Sequence, residues 1–412
     1  MAEKELRTAC NKGNIDKVKQ ILEGDPSVDI NEMSKDGWNP LLNASYFGFV
    51  EVARLLLKQP KIEVNKETND GATPFYLCCY RNHVDITKEL LNDSRTEVNK
   101  AINTGATPLF IACEKGNVEI VKLLAKDKRI DLNKSNKDDV TPFFIACYKG
   151  HKDIVKSLLE NERVDVNKVN KHKTSPLLAS CLKGREDLVK LLLKSQRIDV
   201  NQPNKNQATP FFIACEKGYE EIVKLFLDDK RVDVNKGYIG EFTPFFTACE
   251  KGHSEIVQLL LDDPRVDLRC LGEPPLFVAC ENGHLKVVKI LLGDSRIDIN
   301  QAYDESTPFF AACENGHLEI VEWMLASGKE IKTVNNNKSS LQVAKRNSSL
   351  GKLKWEKSEK ETQRRQKNCD EIFRILGNFQ VNPQITRIEL RKMIFKSIFF
   401  FLEQSKYQNK IK

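Results

Sequence analysis

The chain has 412 residues, of which 30% are charged and 40% apolar, with a formal net charge of +7 and 12 cysteines. No stretch reaches the roughly 20 consecutive apolar residues that a membrane-spanning helix needs, which excludes a helical span. The opening MAEKELRTAC has no apolar core and does not read as a signal peptide, so a cytoplasmic, reducing environment is expected.

A chain of this length ordinarily divides into two or three globular domains, but a regular dipeptide overrides that expectation. Thr-Pro or a near match falls at Asn39-Pro40, Thr73-Pro74, Thr107-Pro108, Thr141-Pro142, Ser175-Pro176, Thr209-Pro210 and Thr243-Pro244, always 34 residues apart. It continues at Pro274-Pro275, Thr307-Pro308 and, more weakly, Ser339-Ser340, with intervals of 31, 33 and 32. Self-similarity at this period marks a repeat array, in which each unit buries its apolar face only against its neighbours.

The unit Gly105 to Asp138 shows how each repeat works. Thr107 is suited to cap a helix with its hydroxyl, and Pro108 fits the first helical position, where its missing N–H costs nothing. An apolar run from Leu109 to Cys113 follows, and Gly116 can end the helix in the left-handed conformation. Val118, Ile120, Val121, Leu123 and Leu124 then form the apolar stripe of a second helix. Lys128 to Asp138 is polar and should loop out before the next Thr-Pro. Neither helix is long enough to be stable alone, so stacking is required.

These openings, with the Ala-Cys-x-x-Gly that follows them at Ala112-Cys113, Ala146-Cys147, Ala214-Cys215 and Ala248-Cys249, resemble the ankyrin repeat. The resemblance implies an all-α solenoid of helix–turn–helix units with protruding loop fingers. It divides the chain into an N-terminal capping repeat (1–36, keeping Ala9-Cys10 and Gly13), tandem repeats (37–338), a degenerate closing repeat (339–380) and a basic, aromatic tail (381–412). Two departures from the family stand out. Where its opening usually carries His, this chain has Tyr76, Phe110, Phe144, Leu178, Phe212, Phe246, Phe277 and Phe310, so aromatic packing is expected to replace a hydrogen bond. The loops carry basic pairs such as Lys230-Arg231 and lack the usual Gly.

Nine cysteines (Cys10, Cys79, Cys113, Cys147, Cys181, Cys215, Cys249, Cys280 and Cys313) share one repeat position. Neighbouring thiols there should lie beyond the ~7 Å limit for bridging, which predicts buried small apolar side chains and no disulfides. His83, His151, His253, His284 and His317 also share a position, as do acids early in the second helices, where they favour the positive end of the dipole. A repeated group is a structural device, whereas a catalytic one would be singular. There is no CxxC, P-loop, dinucleotide fingerprint, HExxH or nucleophile elbow. No enzyme activity, cofactor or metal is expected.

The resemblance implies a concave binding face built from the residue before Thr-Pro and the two residues before the helix-ending Gly. Those positions yield Trp38, Tyr46, Phe47, Tyr80 and Arg81 in two adjacent repeats, then Tyr148, Lys149, Leu182, Lys183 and Phe242. Trp, Tyr and Arg are the types enriched at binding hot spots. Fingertip lysines such as Lys66, Lys100, Lys134, Lys168 and Lys171 could line a basic row. The short interval after Thr243 predicts a kink near Cys270.

From Gly328 onward there are 20 Lys and Arg against 8 Asp and Glu, so a basic tail follows a weakly acidic array. Asn347 to Lys354 reads as a loop, and Glu356 to Leu376 turns amphipathic at Cys369, Ile372, Phe373, Ile375 and Leu376. The aromatic stretch beyond Pro383 has three readings. It folds back as a helix against the array, it touches a membrane or partner groove as a basic amphipathic segment, or it is disordered. The expected function is a non-enzymatic scaffold for protein partners of unknown identity, without a small-molecule substrate. The alternative is a peripheral tether to an anionic membrane surface through the tail. Nucleic-acid binding is disfavoured, because the tail's basic residues are interspersed with apolar ones.

Overall fold

A computed structural model describes residues 2–238, 242–269, 272–335, 338–349 and 358–394. Cys270, where a kink is expected, and the aromatic run Phe395–Phe401 lie outside the described residues. Two compact units divide the chain, Met1–Pro210 and Phe211–Lys412. Within each, helix pairs stack in chain order, first helix on first helix and second on second, as an all-α solenoid.

Unit 1 contains six such pairs among the described residues, running from Ala2–Asn11 with Ile15–Gly24 to Pro176–Leu182 with Glu186–Leu193. Each Thr-Pro opening acts as its chemistry dictates. The Thr107 hydroxyl accepts the N–H of Phe110 at 3.1 Å, Thr141 accepts that of Phe144 at 3.1 Å, and Asn39 accepts that of Leu42 at 2.8 Å. Proline takes the first turn of each of these helices. The residue after proline drives the stacking. Phe75, Phe143 and Phe245 are all but completely buried, and each such side chain contributes on the order of 2–3 kcal/mol of apolar burial. The residues standing where the family carries His, Tyr76 through Phe310, are buried too.

Three inter-repeat bonds recur with the period. In the first, Asn31, Asn65, Asn99, Asn133 and Asn167 each reach into the next repeat. Asn65 donates to the carbonyl of Arg95 at 2.8 Å and accepts the N–H of Glu97 at 2.8 Å. Asn133 donates to the carbonyl of Arg163 and accepts from Asp165, both at 2.7 Å. Unit 2 repeats this at Asn235 and Asn300, but the register position between them holds Arg269. That side chain is 91% exposed and pairs with Asp267 at 3.0 Å.

In the second, an arginine held by the aspartate two residues earlier closes the preceding repeat. Arg95 bonds Asp93 and donates to the carbonyl of Leu57 at 2.9 Å, and Arg265 bonds Asp263 and reaches the carbonyl of Leu227 at 2.6 Å. Both carbonyls end a second helix, where a cation satisfies orphan acceptors and meets the negative end of the dipole. The basic loop pairs are therefore part of the stack. In the third, His83, His151, His253, His284 and His317 donate from Nε2 to a first-helix carbonyl of the preceding repeat, at 2.8–3.1 Å.

In unit 2 the pairs run from Pro210–Lys217 with Glu220–Leu227 to Pro308–Glu314 with Leu318–Ala326. A short antiparallel hairpin pairs Val334–Asn335 with Lys338–Ser339. The helix Ser340–Ser348 follows, capped by Ser339 and Gln342. Asn347, expected in a loop, belongs to this helix because its amide donates to the Glu314 carbonyl at 2.7 Å. The long helix Glu359–Val381 buries Cys369, Ile372, Ile375 and Leu376, and its buried Arg365 donates to the carbonyl of Asn347 at 2.6 Å. Residues 383–394 are helical as well and lie against the array. Leu390 is buried there, and Arg391 donates to the Ala326 carbonyl at 2.7 Å.

Candidate binding surface

In the second repeat Trp38 precedes the helix opening, while Tyr46 and Phe47 end the same helix. Trp38 and Tyr46 are eight positions apart, and their rings meet edge-on with centroids 5.3 Å apart. Tyr46 meets Phe47 edge-on at 5.1 Å, and Phe47 stacks on Phe49 at 6.0 Å. Phe47 nevertheless remains 46% exposed. Trp38, Tyr46 and Phe47 line a cleft of about 400 Å³ with Arg7, Asp36 and Asn43. Arg7 is held by Glu32 at 2.5 Å. Asn43 is only 7% exposed, and its amide has no hydrogen-bond partner among the described residues. The cleft thus combines aromatic walls with one unspent donor and acceptor.

Arg81 comes from the next repeat, with its guanidinium carbon 4.7 Å from the Tyr46 ring centre. The same relation repeats along unit 1. Lys115 lies 5.0 Å over Tyr80, Lys149 is 3.7 Å from the Glu114 carboxylate, and Lys183 lies 4.5 Å over Tyr148. Each ring or acid sits two residues before the helix-ending Gly or Asn, and each cation stands one residue before it in the following repeat. The Lys183 ammonium holds the Tyr148 phenol below the usual tyrosine range. Tyr148 also stacks on Phe144 at 6.5 Å.

Family models for ankyrin repeats match residues 6–102, 88–170, 162–238 and 230–303, and a single-repeat model matches 304–336. The chain is an ankyrin-repeat protein. No curated protein matches this sequence as a relative. Ankyrin repeats generally mediate protein–protein interaction, so the residues at family contact positions are the ones to weigh.

Of those positions, the ankyrin array of unit 1 brings Trp38, Tyr46, Phe47 and Arg81 into one cluster. Tyr80 lies one repeat on, beneath Lys115. Tyr148, Lys149 and Lys183 continue the row, and Leu182 is exposed without a ring partner among the described residues. Phe242 belongs to unit 2, where it is 41% exposed and packs on Phe246 at 5.0 Å. Exposed Tyr238 and Tyr303, which the sequence did not single out, stack on Phe212 at 5.8 Å and against Phe277 at 5.6 Å. Lys115 stands at the same family contact position as Arg81, Lys149 and Lys183. Its signal was an aromatic residue followed by a cation 35 positions later.

The fingertip lysines are largely occupied within the chain. Lys66 pairs with Glu63 at 2.8 Å, Lys100 with Glu67 at 2.7 Å and Lys171 with Asp138 at 2.5 Å. Lys134 and Lys168 donate to the carbonyls of Asn99 and Asn133 at 3.0 Å. In unit 2 the ring positions hold Glu216, Glu250, Glu281 and Glu314, and Lys217 and Lys251 at the cation positions pair with the acids beside them at 3.4 and 3.1 Å. Burial pushes the Glu281 carboxyl above its usual range, and Glu273 and Glu314 push it further. Among the described residues no three His, Cys, Asp or Glu side chains gather as for a metal, and no helix is long and apolar enough to cross a membrane.

Proposed function

We propose that this ankyrin-repeat protein is a non-enzymatic scaffold that holds a protein partner on the unit 1 face of Trp38, Tyr46, Phe47 and Arg81. Tyr80, Tyr148, Lys149, Leu182 and Lys183 extend that face, and Phe242 offers a separate contact on unit 2. The supporting observation is the aromatic cluster around the cleft. Phe47 stands open to solvent between half-buried Tyr46 and Trp38, beside helices fixed by capping, by the Asn bonds and by the Arg clamps. Rigid aromatic anchors of this kind lose little entropy on binding, and removing one typically costs 2 kcal/mol or more, on the order of 30-fold in affinity.

The test compares partner capture by the full chain with capture by a Trp38→Ala/Arg81→Ala variant, together with their melting curves. Partners lost from a variant that melts as cooperatively as the parent support the assignment. An unchanged set of partners removes it, and early melting reassigns the residues to packing.

A further inference from the structure

We propose that the unit 1 row takes an acidic segment in polyproline II conformation, with a carboxylate at every third residue and an apolar side chain at one end in the Trp38 cleft. This rests on the reading of that face as the binding surface and specifies the chemistry of its partner.

Charge is the first argument. Arg81, Lys115 and Lys183 lie over tyrosine rings, and none of them has a carboxylate within 4.0 Å among the described residues. Many other cations of unit 1 are already paired, among them Arg54, Lys88, Arg95, Lys122 and Arg129. A ring holds a cation in place without neutralising it. The Arg81 and Lys115 donors therefore stay free for an incoming anion while their positions are set, and the Lys183 ammonium keeps its charge while it also bonds the Tyr148 phenol. Lys149 shares its charge with Glu114 only across an exposed pair, and such pairs are weak.

Spacing is the second argument. The four cations recur once per repeat, and stacked helices lie about 8–10 Å apart. A polyproline II segment has three residues per turn and rises ~3.1 Å per residue, so every third side chain returns to the same face after about 9.3 Å. A β-strand alternates its side chains with period two, so an acid at every third position would face the row only half the time.

Continuity is the third. Tyr46 carries Arg81 on its face and also walls the cleft with Trp38 and Phe47, so the charged row runs directly into the apolar pocket. The unpartnered Asn43 amide offers a hydrogen bond to the backbone of a segment entering there. Single-stranded nucleic acid fits less well. Its bases would need open ring faces to stack on, and those of Tyr46, Tyr80 and Tyr148 carry cations.

The test uses the full chain and fluorescent synthetic peptides read by anisotropy at low salt. One peptide has an N-terminal Phe followed by Glu at every third position with Pro between. A second has the same composition with its Glu residues adjacent, a third has Gln for Glu, and a fourth places Glu every seventh residue on a helix. Poly-dT serves as the nucleic-acid probe. The regular peptide is expected to bind at least about tenfold tighter than the others. The Lys115→Gln/Lys183→Gln variant, which removes both ammonium charges and keeps polar side chains there, should lose about tenfold in affinity and part of the salt dependence.

Equal binding of regular and clustered peptides, unaltered affinity in the variant, or tighter binding of the helical peptide or poly-dT would overturn the proposal. The two readings fail separately. Should Trp38→Ala/Arg81→Ala lose natural partners while the spacing of Glu makes no difference, the surface stands and the acidic register falls. Should neither variant affect partner capture, the surface itself falls.

Discussion

Asn133 accepts the backbone N–H of Asp165 at 2.7 Å, across a sequence gap of 32 residues, and so ties one repeat to the next. Its amide donates to Arg163 as well, so truncating this side chain removes two inter-repeat bonds. At about 0.5–1.5 kcal/mol for each bond, Asn133→Ala should cost roughly 1–3 kcal/mol, read as a lower urea midpoint. Arg269 stands at the same register without the bond pair, and Arg269→Ala should stay within about 0.5 kcal/mol. Equal losses at both positions would show that the Asn bonds are not what joins the repeats.

The same residues mark where sequence reading stops. Thr107, Pro108 and Gly116 act on neighbours a few residues away, so their chemistry was legible locally and the solenoid followed from its repetition. Asn133 reads locally as a turn former, because its partners lie 30 and 32 residues off and come close only when the units stack. The Asp93-Arg95 pair likewise carries no local sign of its role, since Arg95 closes the helix that ends at Leu57, 38 residues earlier. Trp38, Tyr46 and Phe47 could be grouped only through the contact positions that the family resemblance implies. That Arg81 lies on Tyr46, and Lys115 on Tyr80, depended on the rotamers and the offset between repeats, which no local pattern encodes.

Gly116 has φ +81°, and a Cβ there would sit 2.8 Å from Cε1 of His151. Gly116→Ala therefore meets both a left-handed backbone and the ring that donates to Glu114, and should destabilise by more than about 1 kcal/mol. Gly24 lies at the end of a helix with nothing within 4 Å of an added Cβ. Gly24→Ala should be neutral or stabilising by up to about 1 kcal/mol. Thermal melts of the two variants decide whether the shared Gly position is steric or incidental.

The described cysteines are all free and all buried. Burial pushes the Cys10 thiol up to about 12, and it raises the Cys113, Cys147 and Cys181 thiols further. In a Cys270→Ser background, Ellman's reagent at pH 8 should react with the folded chain more than about a hundredfold slower than with the chain in urea. Rapid reaction of several thiols without denaturant would contradict the packing of the first helices.

Two groups of unit 2 respond to acid with opposite sign. His317 donates to the Glu281 carbonyl at 2.8 Å, and burial holds its pKa below the ordinary 6.5, with the hydrogen bond opposing. As pH falls through 6.5 the unfolded chain takes up a proton that the native imidazole refuses, so the stability present above 6.5 declines toward the lower native value. Glu281 behaves in reverse. Burial and the charges of Glu273 and Glu314 raise its native pKa above 4.5, so the folded state binds the proton first and gains stability as pH falls toward 4.5. His317→Gln should therefore flatten the decline in melting temperature between pH 7 and pH 5.5. Glu281→Gln should melt higher than the parent at pH 7, with an advantage that shrinks as the medium approaches pH 4.5. A Glu281→Gln advantage that grew on acidification would mean that the carboxylate is stabilised by a cation, contrary to its acidic surroundings.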